Sequence, residues 1–509
     1  MAKNEAPPTI EVKLFVDKEK KKVLFAESDK EFVDVLFGFL TMPLGTVVRL
    51  LDKQSQMGCL DEVYKSVEDL SADYFEIKAC KAMLLKPLNA ASGHCCRLKI
   101  NVDDTKPRAA VYVCKDTSCC ARDDFAFSSV PDTVCRCGKV MESVGDRPPD
   151  NGAKTEAAGS DYGVFVKGCQ KFITTDDLQV APASTSLMLS LCKKFGVQDP
   201  NDLDKTTLQL TSDKITSLLR RSLTSKQPLT GLHFDVPISP DDAPLVWVDW
   251  SLWNEQVNEV DDKVVKIKVL QTKTNSAVLY AEVGHDFVDL VFGLLSVPLG
   301  SVAKAFCQPL PNGCIDNLYR SIDGCAEGCM RAECKNLLLT PELPPFFGCG
   351  ASQILQVNQI APRKIKIDFC FTCFKIGGFS GYSRCHQKGR IIRWDGYDPE
   401  YGYINCQKYT KTAEVSELDP KSPEGKSDHH SAYVKQEPQN FMVTDCLRVS
   451  PLSLDSCLRV VSDAKVEMKE LVEKEVTLTK FQVREIQRAA LMSRDALSSV
   501  LVPLRRRRI

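Results

Sequence analysis

Apolar and polar residues alternate in "TIEVKLFVD" (Thr9–Asp17) and again in "KKVLFAES" (Lys21–Ser28), with a charged turn between. A period of two sends side chains to opposite faces of a strand, so the pair predicts a β-hairpin. The period then lengthens, and Phe32, Val33, Leu36, Phe37 and Leu40 form an apolar stripe at helical spacing. Ser28 followed by Glu31 has the capping-box spacing, which predicts a helix from Asp29. Pro43 removes a backbone donor and disfavours helical geometry in the residue before it, so the helix breaks there and restarts at Leu44–Gly45. The stripe is expected to pack on the hairpin. Asp34 is expected at the surface, as isolated acids on amphipathic helices usually are.

The same succession returns in the second half of the chain. "VVKIKVLQ" and "SAVLYAEV" precede "FVDLVFGLLSVPLG", and Phe32–Leu50 matches Phe287–Ala305 at ten of nineteen positions. "GCLDEVYKSV" from Gly58 answers "GCIDNLYRSI" from Gly313, and "CKAMLLKP" from Cys80 answers "CKNLLLTP" from Cys334. "KFITTDDLQVAP" from Lys171 answers "NFMVTDCLRVSP" from Asn440. After these blocks the pattern predicts a turn or helix cap at Thr175–Asp176 and Thr444–Asp445, then two amphipathic helical stretches in each copy. The fold class that follows is α+β: two tandem repeats, each a β-hairpin plus helices, a cysteine-bearing β segment and a helical C-terminal unit. The boundaries are residues 8–235 and 263–504, with an acidic, Trp-rich linker at 236–262 (Trp247, Trp250, Trp253) and a basic tail at 505–509. Polar, Pro/Gly-rich runs predict flexible loops at about 142–160 and 411–430.

"KKVLFAESDKEFVDVLFGFLTMPLGTVVRLL", "GCLDEVYKSVEDL", "CKAMLLKP" and "CRCGKVM" together resemble the plant family known as domain of unknown function 674. The resemblance covers nearly the whole chain. It implies a land-plant protein with two copies in tandem, and it implies no activity. The second copy departs from the family pattern in its cysteine segment.

That segment carries the candidate chemistry. In the first copy Cys114 and Cys119 precede Cys135 and Cys137, the latter pair in "CRCGK". Two short loops offering two thiolates each suit tetrahedral zinc, and Gly138 lets the backbone turn beneath the metal. In the second copy Cys370 and Cys373 have the preferred spacing, followed by Cys385 beside His386 and by Cys406. A closed four-thiolate site is structural rather than catalytic. The competing reading makes these thiols ordinary small hydrophobes, as Cys59, Cys80, Cys314 and Cys334, set among apolar residues, are expected to be. His94 beside Cys95 is a candidate for a Cys–His catalytic pair, although adjacency is not the geometry such a pair needs.

Composition narrows the function classes. With 43% hydrophobic and 26% charged residues the chain can bury sizeable cores. Lys plus Arg number 66 against 67 Asp plus Glu, so no global field draws the chain onto nucleic acid or anionic lipid. No apolar run spans a membrane. The 23 cysteines without a secretory signal suit a reducing compartment, cytoplasmic or nuclear. Phosphate-cradling, nucleophile-elbow and dinucleotide motifs are missing. The leading expectation is a non-enzymatic interaction or scaffold protein with structural zinc and unidentified protein partners. The alternatives are a thiol-based or metal-assisted enzyme, and a nucleic-acid-binding protein using Arg97, Lys99, Lys106, Arg108, Arg363, Lys364 and Lys366.

Overall fold

The predicted hairpin forms: β1 (Ile10–Asp17) pairs antiparallel with β2 (Lys22–Ser28), and Ile10, Val12, Leu14 and Val16 all point inward. The computed structural model describes residues 7–502 apart from 105–109, 115, 117–125, 147–161, 169, 239–262, 274–276, 307–312, 325, 371–381, 386–389, 394–396, 399–401, 404–409, 423–431 and 437–438. The N-terminal half continues through β3 (Ala110–Val113), β4 (Ala126–Ser128), β5 (Glu142–Asp146), β6 (Phe172–Thr175), β7 (Val180–Pro182) and β8 (Leu203–Leu210). The C-terminal half contributes β9 (Lys263–Thr272), β10 (Val278–Val283), β11 (Lys364–Cys370), β12 (Tyr382–Cys385), β13 (Arg390–Arg393), β14 (Tyr397–Asp398), β15 (Gly402–Tyr403), β16 (Thr410–Glu417), β17 (Phe441–Thr444), β18 (Val449–Pro451) and β19 (Leu471–Thr479).

These strands build a mixed α+β molecule. One antiparallel sheet runs β7-β6-β2-β1-β8 and a second runs β18-β17-β10-β9-β19, each drawn from one half. A third, β11-β16-β4-β3-β5, takes strands from both. The alternation did not predict β8 and β19, which fall between the two helices of each tail. β8 is buried only at Leu208 and Leu210, so most of it carries no apolar face to betray it. The runs read as loops begin in strands, because β5 occupies 142–146 and β16 reaches Glu417. The Trp-rich segment and the basic tail lie outside the described residues, except for 236–238 of the linker.

The helix after β2 starts at Lys30 with Asp29 as its cap, and the Ser28–Glu31 box is not made. Ser28 is still part of β2, opposite Phe172, so its backbone is committed to the sheet. The helix lies on its hairpin as expected, but the proline kink does not stay within its own half. Leu44 N–H donates to Val297 O at 2.9 Å, and Leu299 N–H donates to Met42 O at 2.9 Å. Pro43 thus faces Pro298 across a local two-fold. Each kink satisfies the peptide groups that the other leaves without a helical partner. Gly300 makes room for this approach, since a Cβ there would stand 2.9 Å from Leu40 O.

Other elements cross in the same reciprocal way. Cys59, at the start of helix Leu60–Asp69, donates its N–H to Ala490 O (2.7 Å), and Ser66 Oγ accepts from Val449 N–H of β18 (2.9 Å). Conversely Cys314, before helix Ile315–Asp323, donates to Ser222 O (2.8 Å), and Ser321 Oγ accepts from Val180 N–H of β7 (2.9 Å). Each half's helix therefore docks on the other half's sheet. Asp34 is 3% exposed, not at the surface. Its carboxylate accepts from the N–H groups of Val164, Phe165 and Val166 at 2.6, 2.8 and 3.1 Å. Burial pushes its pKa up to about 6 despite these bonds. Asp289 holds Tyr433 N–H likewise, at 2.6 Å. The pinned segments then cross over: Lys167 N–H reaches Cys329 O and Lys435 N–H reaches Tyr74 O. One continuous apolar core, from Ile10 to Leu497, joins the two halves.

Candidate metal centre

Cys114 follows directly on β3, and Cys135 and Cys137 sit on a tight turn after β4. Cys135 N–H donates to Lys139 O and Gly138 N–H donates to Cys135 O, both at 2.8 Å. Val134 and Val140 close the turn as an antiparallel bridge. Gly138 has φ +84°, a left-handed conformation that favours glycine. The bond from Gly138 N–H to Cys135 O makes a β-turn with Cys135 at its first position and Cys137 at its third, and both thiols converge on Cys114.

The sulfurs of Cys114, Cys135 and Cys137 lie within 4.8 Å of one another, with Cys114 and Cys137 at 3.6 Å. Zinc–sulfur bonds of roughly 2.3 Å would give a tetrahedron with edges of roughly 3.8 Å, close to the 3.6 Å between Cys114 and Cys137. Cys114 and Cys135 are buried and Cys137 is exposed. Burial pushes the Cys114 thiol well above its ordinary range, a shift that a soft dication would reverse by displacing the proton. Asp116 N–H points at Cys114 Sγ (3.4 Å), and the Asp116 carboxylate pairs with Lys139. This peripheral pair links the strand end that carries Cys114 to the turn that carries Cys135 and Cys137. The spacing of the cysteines alone gave no sign of it.

Cys119, the fourth ligand proposed from spacing, lies outside the described residues, as do Cys373 and Cys406. Cys370 ends β11 and Cys385 ends β12, both placed in backbone only. Cys59, Cys80, Cys314 and Cys334 are fully buried in the core, as their apolar neighbours predicted. Among the described residues, every cysteine with a displaced pKa is displaced upward by burial.

His94 and Cys95 do not form a pair. Cys95 turns into the core against Thr41 Oγ1 (3.4 Å) and burial pushes it up to about 12. Burial lowers His94, assisted by Arg97 and Arg331. The pocket beside Cys95, lined by Asn89, Asn101 and Asp103 among others, offers about 10 Å³, room for roughly one water molecule. Of the basic residues singled out for nucleic acid, Arg363 faces inward. Its Nε lies 3.4 Å from the buried Glu417 carboxylate, and its guanidinium sits over the Phe127 ring. Lys106 and Arg108 lie outside the described residues. Among those described, no helix is long and apolar enough to cross a membrane.

Residues 6–481 match the family model described as a protein of unknown function, DUF674. The chain belongs to the DUF674 family. No curated protein and no solved structure matches it. For this DUF674 chain the functional reading therefore has to come from its own residues.

Proposed function

We propose that this DUF674 chain is a non-catalytic scaffold: two tandem copies of one α+β unit, closed on each other, with a structural zinc ion held by Cys114, Cys135 and Cys137. Cys119 is the fourth ligand that the spacing nominates. The observation that carries the reading is the convergence of three sulfurs, from two separate loops, to within 4.8 Å of one another. The buried thiol of Cys114, which burial pushes up, favours packing and metal binding over nucleophilic chemistry, which needs a thiolate near neutral pH. The matching strand order of the two antiparallel sheets supports the tandem-copy reading.

Metal content per chain tests it, measured by mass spectrometry on protein purified under reducing conditions without added zinc. About one zinc per chain is expected from a closed structural site. The variant Cys135→Ser, Cys137→Ser should lose that ion together with thermal stability. A metal-free parent whose variant melts at the same temperature would return these cysteines to ordinary packing.

A further inference from the structure

The third sheet is where the thiol cluster meets the C-terminal half. β16 pairs in parallel with β4 (Ser416 with Ala126, Glu417 with Phe127), and Leu418 N–H donates to Phe127 O at 2.7 Å. The Leu418 side chain is 5% exposed and packs with Cys114, Cys135 and Met141 in a small core apart from the main one. Three of those four residues belong to the N-terminal half and one to the C-terminal half. Beside them Glu417 accepts from Ser129 Oγ and from Arg363 N–H (3.0 Å), and Arg363 Nη2 reaches Ser129 Oγ at 2.6 Å. This buried network also crosses from one half to the other.

The same sheet also buries Val111, Val113 and Phe127 from one half and Ile365 and Val415 from the other, so the cluster caps one end of a longer apolar seam. The kink contacts, the exchanged helices and the main core share no residue with it. Lys421, three residues past Leu418, bonds Gly348 O (2.8 Å) and lies over the Tyr433 ring, so the ribbon's far end is held by the main body, while a metal bound to all three thiols would fix β3 and the cysteine turn beneath Leu418 itself. We infer that the thiol cluster is a latch for a soft divalent cation, whose occupancy strengthens the pairing of the β11–β16 ribbon to β4 through Leu418. The inference rests on the metal reading above. By linkage, whatever metal binding adds to ribbon docking, docking adds to metal affinity.

The test uses the full-length protein under reducing conditions, with zinc alone as the probe and a chelator to remove it. Hydrogen exchange followed by mass spectrometry should show at least a tenfold loss of protection at residues 415–418 on chelation. Residues 10–17 and 263–269, in the other two sheets, should keep theirs. In parallel, Leu418→Ala leaves every cysteine in place and should weaken zinc binding about tenfold in competition with a chromogenic chelator. Zinc bound at one per chain, with chelation loosening 110–141 but not 415–418, would overturn the latch and leave the metal site standing. Unchanged zinc affinity in Leu418→Ala would overturn it equally. A chain that binds no zinc would remove both readings.

Discussion

Gly58 and Gly196 both adopt left-handed backbone, with φ +52° and +73°, but side chains at the two positions would meet different surroundings. A Cβ on Gly196 meets nothing within 4 Å, whereas one on Gly58 would stand 2.4 Å from Ala490 O of the opposite half. Gly196→Ala should therefore cost only the conformational term, about 1–2 kcal/mol. Gly58→Ala adds overpacking against main chain, roughly another 1–3 kcal/mol. Urea unfolding of the two variants beside the parent measures the difference. Equal losses would mean that helix Leu60–Asp69 is not pressed onto helix Lys480–Met492 as described. The sequence marks Gly58 only as part of a recurring phrase. Its reason for being glycine lies more than four hundred residues away, where no local pattern reaches.

Buried carboxylates hold one element on another. Asp176, in the turn after β6, accepts from Thr230 N–H (2.9 Å) and Oγ1 (2.7 Å) in helix Pro228–His233. Asp445 does the same for Ser498 in helix Ala496–Leu501. Burial pushes both, like Asp34, up to about 6. The unfolded carboxyl titrates near 3.9, so the folded state holds these protons more tightly. Their contribution to stability is fully present below about pH 4 and is lost as pH rises through about 6. Asp176→Asn keeps an acceptor for Thr230 and removes one such titration. Between pH 4 and 6 the fall in unfolding free energy should be shallower in the variant, by up to roughly 1.4 kcal/mol per pH unit. An unchanged slope in urea titrations across that range would sink the assignment. Elements of this kind were unevenly legible. The hairpins, the kink and the Thr-Asp turn could be read because local spacing dictates them. The burial of Asp34 could not, because its donors are Val164 to Val166. The cysteine turn was legible through its Cys-x-Cys-Gly run, while Leu418, which covers the cluster, carries no mark in the sequence.

At the scale of the molecule, the recurring phrase has a use that periodicity could not disclose: Met42 and Leu44 bond to Leu299 and Val297, its own counterpart. The spacing of Phe32 to Leu40 predicts a stripe facing one hairpin, yet it lies in a core continuous with Phe287, Leu294 and Leu497. Helix Leu60–Asp69 belongs to one half in sequence and to the other in space, as does helix Ile315–Asp323. Separating the halves would expose both helices' apolar docking faces to water and break the bonds from Val180 and Val449 N–H to Ser321 and Ser66 Oγ. Chain continuity through residues 239–262 should then matter little once the protein is folded. A protease site introduced within that segment and cut under native conditions should yield two fragments that co-elute at the position of the intact chain in size exclusion. They should part only in denaturant, in one transition shared by both. Fragments that separate in native buffer, or unfold at two distinct midpoints, would show two independent domains, and the reciprocal docking of helices and kinks would then have no energetic weight.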